Sequence, residues 1–502
     1  MLLLKDLFRK KNLAQHLASI DRQDHKLVRK LNWLDLTALG IGAIIGTGIF
    51  VLTGTAAAGG ANHIGAGPAL SLSFLITGFA CALAAFCYAE FASMMPISGS
   101  AYTYSYAAFG EIIAWIMGWC LVLEYAIGNI AVAIGWSGYF VDLLRGFNIH
   151  LPGWMVTDYV TAFTRLEYGS TTTTIIQAAP HLFGIPVVIN FPAVLINLLV
   201  TVVLVYGIKE SSRVNIFFVA LKLLMVFLFI FVGIAYVKPE HWGHDWNTFA
   251  PNGFNGVMTG AALIFFAYIG FDAISTASEE TINPEKEIPR GIITSLIAVT
   301  ILYVVVTVIL TGMVDYRTLN VPEPVSFALR SVGADTVAGL ISAGAVISMT
   351  SVLIVFGLGQ PRIFYAMSRD GLLPKFMGKI HPRHKTPYVA TIVTGVFVAF
   401  FSGFVDIGQA AELTNIGTLI AFILVSIGVL VKRYTDPNLP RPFRVKGIHF
   451  VAISSALCSG YIAYSLPSIT WKMFWIWLII GLALYFSYGY RKSRLKAENE
   501  GK

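Results

Sequence analysis

Charged side chains are scarce in this chain. Lys, Arg, Asp and Glu together make up 12% of its 502 residues, whereas soluble domains carry about 25% charged residues. The hydrophobic share is 56%, and the mean hydropathy is +0.72. Because the shortage extends along the whole sequence, it leaves little room for a separate soluble domain. The composition therefore predicts an all-α polytopic membrane protein.

Sequence motifs of several protein classes are also missing. The chain has no Gly-x-x-x-x-Gly-Lys-Ser/Thr loop, no Gly-x-Ser-x-Gly elbow and no HExxH motif. ATP-driven transport, hydrolase chemistry and metal catalysis therefore lack support, and we expect no cofactor and no metal. The four cysteines all lie in apolar segments, which argues against a disulfide framework or a CxxC metal site; they are Cys81, Cys87, Cys120 and Cys458.

About 20 apolar residues are needed for a helix to span a bilayer, and twelve such segments are predicted. They are 33–58, 68–95, 102–140, 186–206, 212–237, 255–280, 288–313, 335–360, 387–405, 410–432, 447–467 and 471–490. The predicted organisation is a tail (1–32), a first five-helix unit (33–237), a second five-helix unit (255–432), two last helices (447–490) and a second tail (491–502).

Basic residues determine the predicted orientation, because loops rich in Lys and Arg stay in the cytoplasm. Of the 35 Lys and Arg residues, 28 fall in the two tails and in the connections on one side, six fall on the other side, and Lys222 lies inside a span. Both termini are therefore predicted to be cytoplasmic, which requires an even number of spans. The same distribution accounts for the net charge of +8 without a nucleic acid partner.

The first predicted span contains the stretch GIGAIIGTGIF at 40–50, in which four of eleven residues are glycine. Each glycine costs a helix about 1 kcal/mol relative to alanine. Backbone groups freed by a break inside a bilayer need partners from protein or from a polar cavity. Two interpretations of this stretch stay open: the amides of Thr47 and Gly48 bind an anionic group, or the glycines only allow helices to pack closely.

A second interrupted span is predicted at 255–280, which contains FFAYIGFD at 265–272. Two interrupted spans at corresponding positions of two five-helix units are the best sequence pointer to the site of an inverted-repeat transporter. The N-terminus of a half-helix suits a carboxylate, and the free carbonyls at a half-helix C-terminus suit an ammonium group. The two breaks together therefore fit an α-amino acid zwitterion.

Two ionisable side chains lie deep within predicted spans. An ionisable group at the depth of Lys222 costs about 2.5–3.5 kcal/mol on insertion scales and points to function. We predict that its amine releases and regains a proton; the alternative is a lysine that snorkels to the interface. Glu124, in the third span, is a candidate proton site, with a pocket wall or a structural hydrogen-bond acceptor as alternatives.

Several motifs resemble those of one transporter family. The stretch at 40–50 resembles the first-span signature of the amino acid–polyamine–organocation superfamily. Further motifs are similar to its cationic amino acid transporter branch: PISGSAYTYSY at 96–106, FGE at 109–111, GWCLVLEY at 118–125, ASEETINP at 277–284 and SRDGLLP at 368–374. The match runs in order over nearly the whole chain and is closest to bacterial members of the branch.

The resemblance implies a LeuT-like fold, which is a 5+5 inverted repeat plus two helices, with 12 transmembrane helices that work by alternating access. By the family pattern, the substrate carboxylate meets the backbone of Gly46, Thr47 and Gly48. The substrate amine meets backbone carbonyls at Ile44, Phe266, Ala267 and Ile269.

The resemblance also assigns roles to three side chains. Lys222 matches the lysine that proton-coupled members place where sodium-coupled relatives bind a cation, which implies proton symport. Glu124 matches a third-span glutamate near the pocket. Phe356 matches an eighth-span residue that faces the substrate side chain, and its bulk favours small neutral amino acids. The enlarged 141–186 loop lacks the cysteine needed to link a disulfide-bonded accessory chain, so we expect no such partner.

The sequence thus predicts a proton symporter of the cell membrane, not an enzyme, that imports L-amino acids such as alanine. Its predicted partners are the amino acid, protons and the lipid bilayer. Two alternatives stay open: a sodium-independent exchanger of cationic amino acids or polyamines, and a sensor that binds an amino acid without net flux. A channel is disfavoured because charged pore rings are lacking.

Overall fold

The computed structural model describes residues 7–10, 30–60, 63–95, 100–164, 171–207, 212–384 and 386–499. The predicted tail 1–32 therefore falls mostly outside the described residues. The helices are α1 (Trp33–Ile44), α2 (Thr53–Ala58), α3 (Leu70–Met94), α4 (Ser100–Ala108), α5 (Glu111–Gly146), α6 (Tyr159–Thr164), α7 (Thr171–Ala178), α8 (Phe191–Tyr206), α9 (Ser212–Gly233), α10 (Trp246–Phe249), α11 (Gly253–Ile264), α12 (Pro284–Met313), α13 (Pro324–Ser331), α14 (Asp335–Arg369), α15 (Tyr388–Ser402), α16 (Ile407–Thr435), α17 (Ile448–Tyr464), α18 (Ser468–Leu484), α19 (Tyr490–Lys492) and α20 (Arg494–Asn499).

Short turns of other helical types join these elements. The 3₁₀ turns are Gly67–Ala69, Gly153–Met155, Ile234–Tyr236, Pro239–Trp242, Phe265–Tyr268, Phe271–Glu280, Tyr316–Leu319 and Lys375–Gly378, and the π-helical turns are Gly48–Leu52 and Tyr485–Gly489. The 141–186 connection carries α6, α7 and a two-stranded antiparallel hairpin, β1 (His181–Leu182) and β2 (Ile185–Pro186), in which His181 pairs with Pro186. The described chain is thus mostly helical, and its two short strands both lie in this hairpin.

Seven of the described helices are long and apolar enough to cross a membrane, or eight if the bent pair Trp33–Ile44 and Gly48–Ala58 counts as one span. Three shorter apolar helices, α8, α15 and α17, and the interrupted segment 253–280 coincide with the remaining predicted spans. The structure therefore contains a multi-pass set of apolar helices, while the number of twelve spans and the orientation of the termini stay predictions.

The third predicted span differs from its expected form. Instead of one helix over 102–140, the chain forms α4 and then α5, which are separated at Gly110. Gly110 has φ +102°, a backbone conformation that costs little only in glycine. Its added Cβ would also lie 2.6 Å from the carbonyl carbon of Phe8. The joint therefore needs glycine both for its backbone angle and for the close approach of the N-terminal segment.

The long helices pack in pairs around α5. The α5 helix lies against α14 and α16, α12 lies against α1 and α3, and α8 lies against α15. One contiguous hydrophobic core runs through these helices. Because α5 and α14 are in its centre, side chains on their facing surfaces are buried, and the first predicted span meets this core through α1 and the turn that follows it.

The start of α1 is fixed by local hydrogen bonds. The side chain of Asn32 accepts from the backbone of Leu34 and Asp35, and the Asp35 carboxylate accepts from the backbone of Asn32. This capping box satisfies backbone N–H groups that the first helical turn leaves free. Asp35 is therefore a helix-capping residue.

Candidate functional site

The first glycine-rich stretch is a true helix break. α1 ends at Ile44, and Ile45 adopts an extended conformation with φ −73° and ψ 109°. A π-helical turn begins at Gly48, and the chain continues as α2 at a bend of 43° from α1. The Ile45 N–H still donates to the Ile41 carbonyl, and the Gly46 carbonyl accepts from the N–H of Phe50. Because the regular hydrogen-bond ladder stops here, the other backbone groups of this stretch need partners from elsewhere.

The second stretch breaks in a different way. α11 ends at Ile264 and tightens into a 3₁₀ turn, after which Ile269 is extended with φ −62° and ψ 134°. Gly270 then takes φ +122°, and a second 3₁₀ segment follows. The prediction of two interrupted spans is thus confirmed in the backbone geometry, although the repeat relation between the two halves stays a prediction.

The two breaks are in direct contact with each other. A Cβ added to Gly48 would lie 2.3 Å from Cα of Ala267, and one added to Gly270 would lie 3.1 Å from the carbonyl carbon of Ala43. No side chain fits at 2.3 Å, so Gly48 allows the two backbones to approach. Close packing, one of the two interpretations of this stretch, is therefore observed at Gly48, while binding of an anionic group by the amides of Thr47 and Gly48 stays a prediction.

Tyr303, on α12, joins the two breaks. Its hydroxyl lies 3.0 Å from the carbonyl oxygen of Ile44 and 3.0 Å from that of Ala267, and it donates its single proton between them. The side chain is fully buried. Its hydroxyl therefore supplies a hydrogen-bond partner for two carbonyls that surrounding hydrocarbon could not satisfy. Nothing in the sequence indicates this role, because a single tyrosine in an apolar helix is common.

Two further side chains serve carbonyls beside the breaks. The Asn415 amide donates to the carbonyls of Ala262 and Leu263 at 2.7 and 3.0 Å. The Tyr139 hydroxyl donates to the carbonyl of Phe50 at 2.6 Å. A buried carbonyl without a partner costs about 1–3 kcal/mol of stability. These hydrogen bonds therefore lower the free-energy cost of interrupting the two spans.

Lys222 contacts the first break. Its side chain is 1% exposed, and its Nζ donates to the carbonyl oxygen of Gly42 at 2.5 Å. Gly42 lies in the last turn of α1, two residues before the break. The side chain therefore points into the protein and does not reach the membrane interface, which removes the snorkelling alternative.

Glu124 is buried elsewhere. It lies on α5 beside the hydroxyl of Thr418, within electrostatic range of the Asp272 carboxyl that follows the second break. Among the described residues, no hydrogen bond or ion pair joins Glu124 to Lys222. Lys222 thus contacts the first break, whereas Glu124 is within electrostatic range of the carboxyl that follows the second.

Phe356 packs against α5. Its ring meets that of Tyr125 edge-on at 5.6 Å between centroids, and a Cβ on Gly128 would lie 2.8 Å from its Cε2. One turn earlier on α14, Cγ2 of Val352 would lie 3.1 Å from a Cβ on Gly46. The α14 side chain directly against the first break is therefore Val352, which the sequence did not indicate.

Thr47 is the one predicted site residue with an unsatisfied buried side chain. Its hydroxyl oxygen is buried and has no hydrogen-bond partner among the described residues, while its methyl carbon lies close to Gly135 of α5. Such orphaned polar groups are uncommon in native structures and call for an explanation. All the predicted site residues are buried, so the structure is closed around the two breaks.

Among the described residues, the histidines with close spacing lie in connections away from the two breaks. Two pairs have HxxH spacing, His241 with His244 and His381 with His384, and both lie in connections between long helices. His381 Nδ1 accepts from the backbone N–H of Arg383 and of His384, which explains its position without a metal. Within the described ranges, no group of three or more His, Cys, Asp or Glu side chains is placed to hold a metal ion.

Comparison of the whole chain with known protein families identifies the class of protein to which these two breaks and the buried lysine belong. The family model described as amino acid permease matches residues 31–485, which is nearly the whole chain. The chain belongs to this amino acid permease family. It is therefore a transporter and not an enzyme, and it is a multi-pass protein of the cell membrane.

Individual relatives of this permease carry several substrate names. The methylthioribose transporter of Bacillus subtilis is 47% identical over 98% of the chain and 100% of that protein. The branched-chain amino acid permease BcaP of the same organism is 47% identical over 97% and 99%. Cationic amino acid transporter 4, vacuolar, of Arabidopsis thaliana is 38% identical over 87% and 68%. The predicted family and its cationic transporter branch are thus confirmed.

Proposed function

We propose that this permease imports neutral aliphatic amino acids, from alanine to the branched-chain ones, by proton symport. The fold that supports this mechanism is the LeuT-like 5+5 inverted repeat plus two helices, with 12 spans and cytoplasmic termini. The position of the breaks in the first and sixth predicted spans favours this arrangement. Substrate passage then follows alternating access, in which the closed state described here lies between two open ones.

The two breaks supply both ends of a zwitterion site. The substrate carboxylate binds the backbone at Gly46, Thr47 and Gly48, and the free Thr47 hydroxyl donates to it as well. This accounts for a buried hydroxyl that otherwise lacks a partner. Free N–H groups and the helix dipole at the start of the second half-helix favour an anion there.

The ammonium group binds carbonyls that face the same space. Those proposed are Ile44, Phe266, Ala267 and Ile269. Tyr303 holds the carbonyls of Ile44 and Ala267 in fixed positions, and each carbonyl oxygen has a second lone pair for the substrate. Phe356 and Val352 border the side-chain end with apolar surface, which favours neutral substrates.

The observation that carries proton coupling is the bond between Lys222 and the Gly42 carbonyl at the end of α1. A protonated amine holds this carbonyl firmly, whereas a neutral amine holds it weakly, because bonds from charged donors are roughly twice as strong. The position of α1 thus responds to the proton. Glu124 is the second proposed proton-coupling group, since it is buried near the other break.

Uptake into proteoliposomes tests this proposal. With an inward proton gradient and no sodium, the purified permease is expected to accumulate alanine and branched-chain amino acids, and a protonophore is expected to abolish accumulation. Uptake that depends on amino acid preloaded inside would instead identify an exchanger. Saturable binding without flux would identify a sensor.

A second candidate substrate is methylthioribose, because a relative of 47% identity over the full length carries that name. This sugar has neither the carboxylate nor the ammonium group that the two breaks fit. A competition panel of the twenty amino acids, polyamines and methylthioribose, measured at two pH values, separates the candidates. Competition by methylthioribose alone would overturn the amino acid assignment.

A further inference from the structure

A small polar cavity lies between four helices, α5, α8, α14 and α15, away from both breaks. Its volume is about 10 Å³ when counted as the space open to the centre of a water molecule. Six of the side chains that line it are polar: Asn129, Asn197, Thr201, Gln360, Thr391 and Thr394. Thr201 is half-buried, and the other five are buried.

The protons of this lining are largely committed to other partners. The hydroxyls of the three threonines donate to carbonyls of their own helices, Thr201 to Asn197, Thr391 to Pro387 and Thr394 to Thr391. The Asn197 amide donates to Ser402 and to the Ala193 carbonyl. The Gln360 amide donates to the Val122 carbonyl at 3.5 Å. The threonine hydroxyls therefore offer the cavity lone pairs on oxygen, whereas the amide groups of Asn129 and Gln360 also carry N–H donors.

Asn129 provides the strongest indication of a ligand. Its side chain is 5% exposed and lines the cavity, and its Oδ1 has no hydrogen-bond partner among the described residues. Leaving a buried acceptor unsatisfied costs about 1–3 kcal/mol. The site therefore needs a small donor that reaches Asn129 Oδ1.

We propose that one water molecule is bound in this cavity, donating to Asn129 Oδ1 and to a threonine hydroxyl oxygen. The cavity holds about one water, and buried waters characteristically bridge otherwise unsatisfied polar groups. A cation fits less well, because the residues that line the cavity include no carboxylate and an unpaired buried charge is strongly destabilising.

The position of the site links it to the helix that carries Phe356. Gly128 of α5 contacts the Phe356 ring, and the next residue on each helix, Asn129 and Gly357, lines the cavity. The water thus lies one layer behind the wall at Phe356, where α5 and α14 meet α8 and α15. It hydrogen-bonds the two helix pairs together, independently of which substrate the permease carries.

A density map at about 2 Å, where ordered waters are resolved, tests the proposal directly. The wild-type map is expected to show a peak at hydrogen-bonding distance, about 2.7–3.2 Å, from Asn129 Oδ1 and from a threonine oxygen. Asn129→Leu is expected to lose this peak. An empty cavity in a map that shows other buried waters would overturn the proposal. So would a peak with five or more oxygen contacts at about 2.3–2.6 Å, which is typical of a cation.

A second test uses thermal unfolding of the detergent-purified protein. It relies on other variants and so remains valid if Asn129→Leu does not fold. Thr394→Val removes an acceptor of the cavity, whereas Thr311→Val removes a buried hydroxyl that likewise donates within its own helix but lies on α12. The unfolding midpoint is expected to fall further for Thr394→Val than for Thr311→Val. Equal falls, or a midpoint that depends on Na⁺ against choline in the wild type, would contradict a bound water.

Discussion

The first and second breaks come from similar sequence, glycine among apolar and aromatic residues, yet their carbonyls have different partners. At the first break, the Lys222 amine donates to the carbonyl of Gly42. At the second, the Asn415 amide donates to the carbonyls of Ala262 and Leu263. An ionisable donor thus serves one break and a neutral donor serves the other.

Under the proposed mechanism, this difference separates two tasks, proton coupling and substrate binding. A group that gains or loses a proton changes the strength of its hydrogen bond, whereas an amide does not. Proton binding should therefore act on the position of α1, and the second break should report chiefly on substrate. Tyr303 contacts a carbonyl of each break, so its loss should affect both equally.

Gly48→Ala should have the largest effect, because it separates the two breaks. The new Cβ would lie 2.3 Å from Cα of Ala267, and backbone at that distance must move. Forced overpacking costs about 1–3 kcal/mol or more, so we expect uptake to fall about a hundredfold or to vanish, since 1.4 kcal/mol is tenfold. Gly460→Ala is the matched control, because nothing lies within 4 Å of its added Cβ. Equal uptake by both variants would show that contact between the breaks is dispensable.

Lys222→Met should remove coupling and leave binding largely intact. The methionine is of similar length and cannot carry a proton, so proton-driven accumulation is expected to disappear while exchange of internal for external amino acid continues. Both are measured in proteoliposomes, with Lys472→Met, an exposed lysine on α18, as the control. Wild-type accumulation ratios in Lys222→Met would remove the amine from the coupling step and leave the two breaks functionally alike.

Tyr303→Phe should weaken substrate binding about tenfold, which corresponds to the roughly 1.4 kcal/mol expected for losing a buried bond to two carbonyls. The ring still packs against Phe74 and Tyr268, so the fold should persist. Because the hydroxyl serves both breaks, KM should rise by the same factor in exchange and in proton-driven uptake. A change confined to proton-driven uptake would place Tyr303 with Lys222 at the first break alone.

Phe356→Ser should have a smaller, selective effect. Removing the ring opens space beside Tyr125 and Gly128. Longer side chains are therefore expected to compete about fivefold better, which corresponds to about 1 kcal/mol, the lower end of the range for one methylene of fit. The measurement is a competition panel against labelled alanine. An unchanged panel would show that Phe356 does not border the substrate, and Val352 would then be the residue to test.

The sequence predicted the breaks because glycine density and a carboxylate beside aromatics are local signals, and it predicted Lys222 because a charge stands out in an apolar helix. Tyr303, Asn415 and Val352 escaped prediction. Each is an ordinary residue of its helix, and its role depends on which helix face meets the breaks, which is decided by packing between distant segments.

The same limit applies to element boundaries. One continuous third span was predicted, but the chain divides at Gly110, where φ is +102°. A single glycine is weak evidence for a break, and the close approach of Phe8 that makes glycine necessary there comes from a segment a hundred residues earlier.

The smallest effect is expected at Glu323, which directly precedes α13 in the connection that follows α12. Burial, with a contribution from the Asp142 carboxyl, raises the pKa of Glu323 from 4.5 to about 7, although Arg145 opposes the rise from 3.3 Å. Between pH 4.5 and 7 the folded protein binds a proton that the unfolded chain does not, so stability falls as pH rises through this window.

Glu323→Gln should therefore reduce the fall of the unfolding midpoint with rising pH. The comparison is with the wild type and with Glu285→Gln, a control at an exposed residue. Proton-driven accumulation should keep its pH dependence, because Lys222 is untouched. A loss of that dependence in Glu323→Gln would mean that the Glu323 carboxyl, and not the amine at the first break, senses the proton.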